Sequence, residues 1–320
     1  MRPSWGTALA VLFWGLFFPL NSFPKAIVNL QAPQSFIADP SHDQYFIANA
    51  NGNPGERDHN GFISKLDSKG KVIDLHFIQG GKGTTVLHSP NGMVVVNETL
   101  YVADLDTVRG FKATTGEPTI TISLTRSQAR ELTGLTADQT GVLFVSDTEG
   151  NAIYRIDPNQ DHRVSLLVHD EKLGGPHGLA VHPKTGRLVV TSLQNGTVLE
   201  VDHTGAITEL VSNSFFTGRF RNLSGIDFDQ YGTMYVSDLT AAKIWRIHPN
   251  HKMEVIAEFL NYPASVNVDR KNHLILVPYL YANGAEINGL ERPANVGNPK
   301  KKRRTLSHYG MGAFEGTQAQ

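Results

Sequence analysis

The chain reads as all-β and single-domain, a six-bladed β-propeller, on three grounds. A strand-ending pattern recurs six times, and a turn pattern keeps step with it in every copy. The residues between are alternating or β-branched runs broken by Gly, Asn, Asp and Pro, and no long segment of helical period follows residue 22. With 40% hydrophobic and 18% charged residues in 320, the composition supplies a real core and excludes global disorder. The absence of cysteine excludes disulfides, thiolate metal sites, iron–sulfur clusters and a thiol nucleophile.

Residues 1–22, MRPSWGTALAVLFWGLFFPLNS, carry one Arg and then an apolar run from Ala8 to Phe18. That run has the length of a signal-peptide hydrophobic region and is shorter than the roughly 20 residues a spanning helix needs. Export to a periplasm or the extracellular space is therefore expected, with Leu20 and Ser22 as the −3 and −1 residues of a cleavage site. The alternative is an uncleaved N-terminal anchor.

The repeats occupy residues 25–290. Their core strands are YFIANANG from Tyr45, LYVADLDTVRGFKATTG from Leu100, LFVSDTEGNAIYRIDPN from Leu143, LVVTSLQNGTVLEVDHTG from Leu188, MYVSDLTAAKIWRIHPN from Met234 and LILVPYLY from Leu274. Their last strand residues, Asn49, Asp104, Asp147, Ser192, Asp238 and Pro278, are spaced by 55, 43, 45, 46 and 40. The accompanying turns are PQS at 33, PNG at 90, LTG at 132, PHG at 176, LSG at 223 and PAS at 263. Between 134 and 170 the runs GLTAD, GVLFVSD, AIYRIDP and RVSLLVHD show the four strands of one unit, and such a unit is a propeller blade. Phe111, Tyr154 and Trp245 recur at one blade position and read as packing between blades. The last copy runs out of outer strands after Glu286–Leu290. KAIVNL at 25–30 is expected to supply the missing one and close the ring.

Residues 291–320 lie outside the repeats and read as a disordered basic tail. They carry Arg292, Lys300–Lys302, Arg303 and Arg304 against Glu291 and Glu315, a net +4. With Arg2 at +1 and the whole chain at −1, residues 23–290 hold −6, which argues against nucleic acid as a partner. The KKKRR run at 300–304 is a solvated tail in this reading, the alternative being contact with anionic lipid or nucleic acid.

The copies resemble NHL-type repeats, and 25–290 resembles the SMP-30/gluconolactonase-like superfamily. Its exported bacterial branch is the nearest in pattern, through NANGNPGERDHNGFISKLDSKGKV from Asn49 and NHLILVPYLYANGAEI from Asn272. The resemblance implies one divalent cation, Ca²⁺ or Mg²⁺, in the central channel, held by a Glu of the first blade turn and Asn or Asp of later ones. In this chain the Glu position is Gln34, and the later positions are Asn91, Thr133, His177, Ser224 and Ala264. None is a carboxylate, whereas a hard cation ordinarily takes at least one.

The channel face is expected to gather Gln34, Asn49, Asn91, Thr133, His177 and Ser224. The long insertion at 50–60, with Arg57 and Asp58, is expected to overhang the mouth. His177 is the candidate catalytic residue, as general base, proton donor or soft metal ligand, against the plainer reading of a structural turn histidine. Asp104, Asp147 and Asp238 read as strand-end acceptors for turn N–H groups. If they faced the channel they would, with Asn91, be the metal candidates. No phosphate-binding Gly loop, His-Glu-Xaa-Xaa-His or Gly-Xaa-Ser-Xaa-Gly motif occurs. Two functions follow as expectations. One is an exported binding protein that takes a small polar ligand or a protein partner at the channel mouth; the other is a divalent-metal-dependent hydrolase of lactones or esters.

Overall fold

A computed structural model describes residues 25–53, 55–212 and 220–290. The signal-peptide or anchor reading of 1–22 and the basic-tail reading of 291–320 fall outside the described residues. Among the described residues, 24 strands form six antiparallel four-stranded sheets, and the only helical turns are three short 3₁₀ segments. No helix there is long and apolar enough to cross a membrane.

Blade 1 is β2 (Pro33–Asp39), β3 (Gln44–Asn49), β4 (Phe62–Asp67) and β5 (Val72–Gln79). Blade 2 runs from β6 (Pro90–Val96) to β9 (Pro118–Ser123), and blade 3 from β10 (Leu132–Ala137) to β13 (Arg163–His169). Blade 4 runs from β14 (Pro176–Val181) to β17 (Ile207–Val211), and blade 5 from β18 (Leu223–Phe228) to β21 (Met253–Glu258). Blade 6 takes β22 (Asn267–Asp269), β23 (Leu274–Tyr279) and β24 (Gly284–Gly289), and its fourth strand is β1 (Lys25–Ile27). Lys25 pairs with Ile287 and Ile27 with Ala285, so the two ends of the repeat array share one sheet. This shared blade closes the ring.

The burial pattern follows from this layering. Inner strands are covered on both faces by neighbouring blades, and the strand Thr99–Asp104 is buried at all but its first residue. The outer strand Arg163–His169 has no fully buried residue. Six apolar clusters result, one at each seam: Phe46, Ile63 and Leu87 of blade 1 and its outgoing link pack with Leu100, Val102 and Phe111 of blade 2. Trp245 joins Val189, Val198 and Phe228 at the blade 4–5 seam, which is the packing role expected of that position.

One face of the ring, here the upper, carries the starts of the first strands and the ends of the second. Pairing sets the upper ends at Pro33–Asn49, Pro90–Asp104, Leu132–Asp147, Pro176–Ser192 and Leu223–Asp238. In blade 6 the matching bridge is Pro263–Tyr279, so Tyr279 takes the place expected for Pro278. In blades 1 to 5 the register slips by one residue just inside this pair, a β-bulge at Gln34, Asn91-Gly92, Thr133-Gly134, His177-Gly178 and Ser224-Gly225. A bulge turns a side chain out of the regular alternation, and here it does so around the axis. On the lower face, Asp67, Asp138, Asp202 and Asp229 each accept N–H groups two and four residues on, closing tight hairpins.

Candidate functional site

The bulges bring the first strands to backbone contact. A Cβ on Gly134 would lie 2.1 Å from the His177 carbonyl oxygen, and one on Gly178 would lie 2.3 Å from that of Ser224. The axial cavity is correspondingly narrow. Centres of water-sized molecules reach about 40 Å³ of it, room for roughly three waters. Its wall includes Gln34, Asn91, Thr133, His177 and Ser224, and blade 6 contributes Ser265 and Asn267 where Ala264 was expected to stand.

These ring residues divide by what their side chains already bond. The Thr133 hydroxyl is buried against Thr148 Oγ1 at 2.6 Å and Ser146 Oγ at 3.1 Å. Ser224 Oγ lies 3.0 Å from Ser237 Oγ and donates to the Pro263 carbonyl at 3.2 Å. Both hydroxyls therefore stitch seams. Among the described residues the amides of Gln34 and Asn91 make no hydrogen bond, and Ser265 Oγ is buried without a partner. His177 Nδ1 lies 3.1 Å from the Ser224 carbonyl, which only accepts, so Nδ1 carries the proton and Nε2 keeps its lone pair. The sequence pattern had given no notice of Ser265, although PAS and PQS both put Ser where the other four turns have Gly.

The other expected residues stand apart from this cavity. Asn49 is fully buried; its Oδ1 accepts from Gln31 N at 3.0 Å and its Nδ2 donates to Ile47 O and Ser64 Oγ at 3.1 Å. Arg57 reaches sideways from the 50–60 loop to Asp106 of blade 2 at 2.5 Å, and Asp58 turns back on Asn60. Neither lines the cavity. The Asp104, Asp147 and Asp238 carboxylates are fully buried in hydrogen bonds away from the axis. Asp147 accepts from the N–H groups of Arg130, Glu131 and Gly150, and Asp238 from those of Arg221, Asn222 and Ala241. Asp104 accepts from His88 N and Ser89 N and pairs with Arg109 at 2.5 Å. Each ties the incoming link of its blade to the end of its second strand.

The site's electrostatics are set by desolvation. Although one edge of His177 meets the cavity, protein surrounds it, and burial pushes its pKa below the ordinary value, with the bond to Ser224 opposing. It is neutral near pH 7. Above the mouth Glu131 is pushed up, first by burial and then by Glu149 and Asp147. A histidine with a depressed folded pKa contributes stability that is complete above about 6.5 and is lost as the pH falls, because the unfolded chain then binds the extra proton. Urea denaturation between pH 5 and 7.5 is expected to show a flatter pH dependence for His177→Gln than for the parent chain, by at most about 1.4 kcal/mol per pH unit. Parallel curves would remove the depressed histidine from the account.

The cation implied by the resemblance meets amide oxygens, the hydroxyls of Ser35, Thr133, Ser224 and Ser265, and one imidazole in this cavity, and no carboxylate. Among the described residues no three His, Asp or Glu side chains converge to hold a metal. This donor set does not fit a tightly held hard cation, since none of its oxygens offsets the charge. What the arrangement can do is accept a proton at His177 Nε2 and exchange hydrogen bonds with a neutral polar group.

No protein-family model and no curated protein sequence matches the chain. Solved structures do match in fold. A protein assigned to the gluconolactonases superposes with a TM-score of 0.62 at 13% identity, covering 86% of this chain and 96% of that one. Virginiamycin B lyase from Staphylococcus aureus gives 0.57 at 14%, covering 84% and 89%. A streptogramin B lyase gives 0.58 at 13%, covering 83% and 97%. Identities this low carry the propeller fold and nothing finer.

Proposed function

We propose that the chain is an exported binding propeller of the SMP-30/NHL type, which accepts a neutral polar group of a small ligand or protein partner into the upper mouth of its channel. One observation carries the reading. Four polar groups from four blades, the Gln34 and Asn91 amides, His177 Nε2 and Ser265 Oγ, line one cavity without a partner among the described residues. Such groups are costly to leave unmet, and a few waters or one inserted hydroxyl or amide would satisfy them. The His177 lone pair requires a donor, which selects hydroxyl and N–H groups over carboxylates. A space for roughly three waters admits the tip of a ligand, with the remainder on the upper face.

A second reading, a divalent-metal-dependent hydrolase of lactones or esters, draws on the likeness to a protein assigned to the gluconolactonases and on the neutral imidazole at the cavity. Metal analysis of the purified chain and a lactone hydrolysis screen with and without EDTA separate the two. The binding reading expects no stoichiometric metal and no EDTA-sensitive turnover. Turnover that EDTA abolishes, and that His177→Ala or Asn91→Ala removes, would overturn it.

A further inference from the structure

Charge is unevenly spread over the upper face. The turns and links of blades 1 to 4 place Arg57, Asp106, Glu131, Glu149 and Glu171 there. The upper end of blade 6 is uncharged: residues 26–38, 259–268 and 274–285, which hold the upper ends of its strands and the links on either side, contain no Asp, Glu, Lys or Arg. Its exposed side chains include Val28, Tyr262 and Tyr281, the last of them 67% exposed. Tyr262 and Tyr281 meet edge to face with ring centres 4.6 Å apart, and the Leu280 N–H donates to the Tyr262 carbonyl at 3.0 Å, which holds the turn against the link. Tyr262 has a φ of 55°, in the left-handed region that suits Gly or Asn and is costly for a bulky side chain. Strain of this kind persists where the surroundings impose it, and it concentrates at ligand-binding positions. Tyr262 stands three residues before Ser265, so at most about 11 Å of chain separates it from the unpartnered hydroxyl of the cavity.

We propose that Tyr262 and Tyr281 form an aromatic ledge beside the channel mouth, and that the ligand is a small uncharged hydroxy-aromatic molecule with its ring on the ledge and its hydroxyl in the bore. The inference rests on the binding reading above and names the ligand class of that site. A neutral occupant follows from a sector without charge, where an ion would lose hydration and meet no counter-charge. The ring follows from the tyrosines, because aromatic pairs attract beyond the area they bury. The hydroxyl follows from His177 Nε2, which needs a donor, and from the Gln34 and Asn91 amides, whose N–H groups can serve its oxygen. A bore with room for roughly three waters takes one such group. A saccharide fits poorly, since its remaining hydroxyls would be pressed against rings that do not answer them.

The test measures binding of para-cresol to the full chain by ligand-observed nuclear magnetic resonance, with its methyl ether and glucose as comparisons. Para-cresol is expected to bind, its ether about fivefold more weakly for the lost donor, and glucose not at all. Tyr262→Asn with Tyr281→Ser should weaken para-cresol about tenfold and leave the urea midpoint level or raised, because Asn suits the left-handed backbone. His177→Leu and, separately, Asn91→Leu should each weaken it about fivefold. Weakening in these two cavity variants with unchanged binding in the tyrosine variant would overturn the ledge and leave the cavity reading standing. Weakening in the tyrosine variant alone, with both cavity variants binding like the parent chain, would overturn the cavity reading and the proposal with it. No binding of para-cresol, equal binding of its ether, binding of glucose, or a steep fall of the urea midpoint in the tyrosine variant would each overturn the proposal.

Discussion

Gly134→Ala is expected to destabilise the chain by about 3 kcal/mol, at the upper end of what overpacking a rigid core costs. The new methyl would stand 2.1 Å from the His177 carbonyl oxygen and 2.9 Å from Ser146 Oγ. The backbone partner cannot step aside, because that carbonyl already accepts from Ser146 Oγ at 2.7 Å. The blade 3–4 seam would have to open. Gly186→Ala is the control: it sits in a lower-face turn with φ near 69° and nothing within 4 Å of its Cβ, so it should cost only the about 1 kcal/mol of a left-handed alanine. Urea midpoints of the two variants decide the matter, and equal small losses would mean that the first strands are not in backbone contact.

Asp147→Ala is expected to cost about 4 kcal/mol, since three N–H groups lose one fully buried acceptor. Asp147→Asn should cost about half as much. Its remaining oxygen can keep Glu131 N and Gly150 N, and only Arg130 N is left facing an amide nitrogen. Blade 1 already works this way, with Asn49 Oδ1 accepting from Gln31 N. Denaturation read against metal content separates this role from a metal-binding one. A metal ligand would lose ion and keep its fold, whereas a blade tie loses stability regardless of ions.

Strand number, blade count and the closing strand were legible because they rest on period and alternation, which are properties of the chain itself. The turn residues were legible as a ring, but their division into partnered and unpartnered groups was not. Thr133 and Ser224 look like Asn91 in the repeat, yet their short hydroxyls reach Ser146 and Ser237, while the longer amide of Asn91 finds no partner among the described residues. Likewise Asp147 was read as capping the turn that follows it, and Gly150 N confirms that half. The other half, Arg130 N and Glu131 N, comes from a link 16 and 17 residues earlier, a distance at which local turn rules say nothing. The partner of Arg57 in the 50–60 loop was not legible either, because Asp106 lies on the next blade, 49 residues away.

The hydroxyl stitches beside the axis are unevenly distributed. Ser146 donates to His177 O, Thr191 to Ser224 O and Ser224 to Pro263 O, joining blades 3, 4, 5 and 6. In blades 1 and 2 the second-strand positions that match Ser146 and Thr191 are Ala48 and Ala103, which carry no hydroxyl. His177 and Ser265 thus sit on a braced arc, while Gln34 and Asn91 sit on an arc held mainly by its apolar seams and peripheral contacts. The polar bracing beside the axis is therefore one-sided, running along the blades that carry His177 and Ser265.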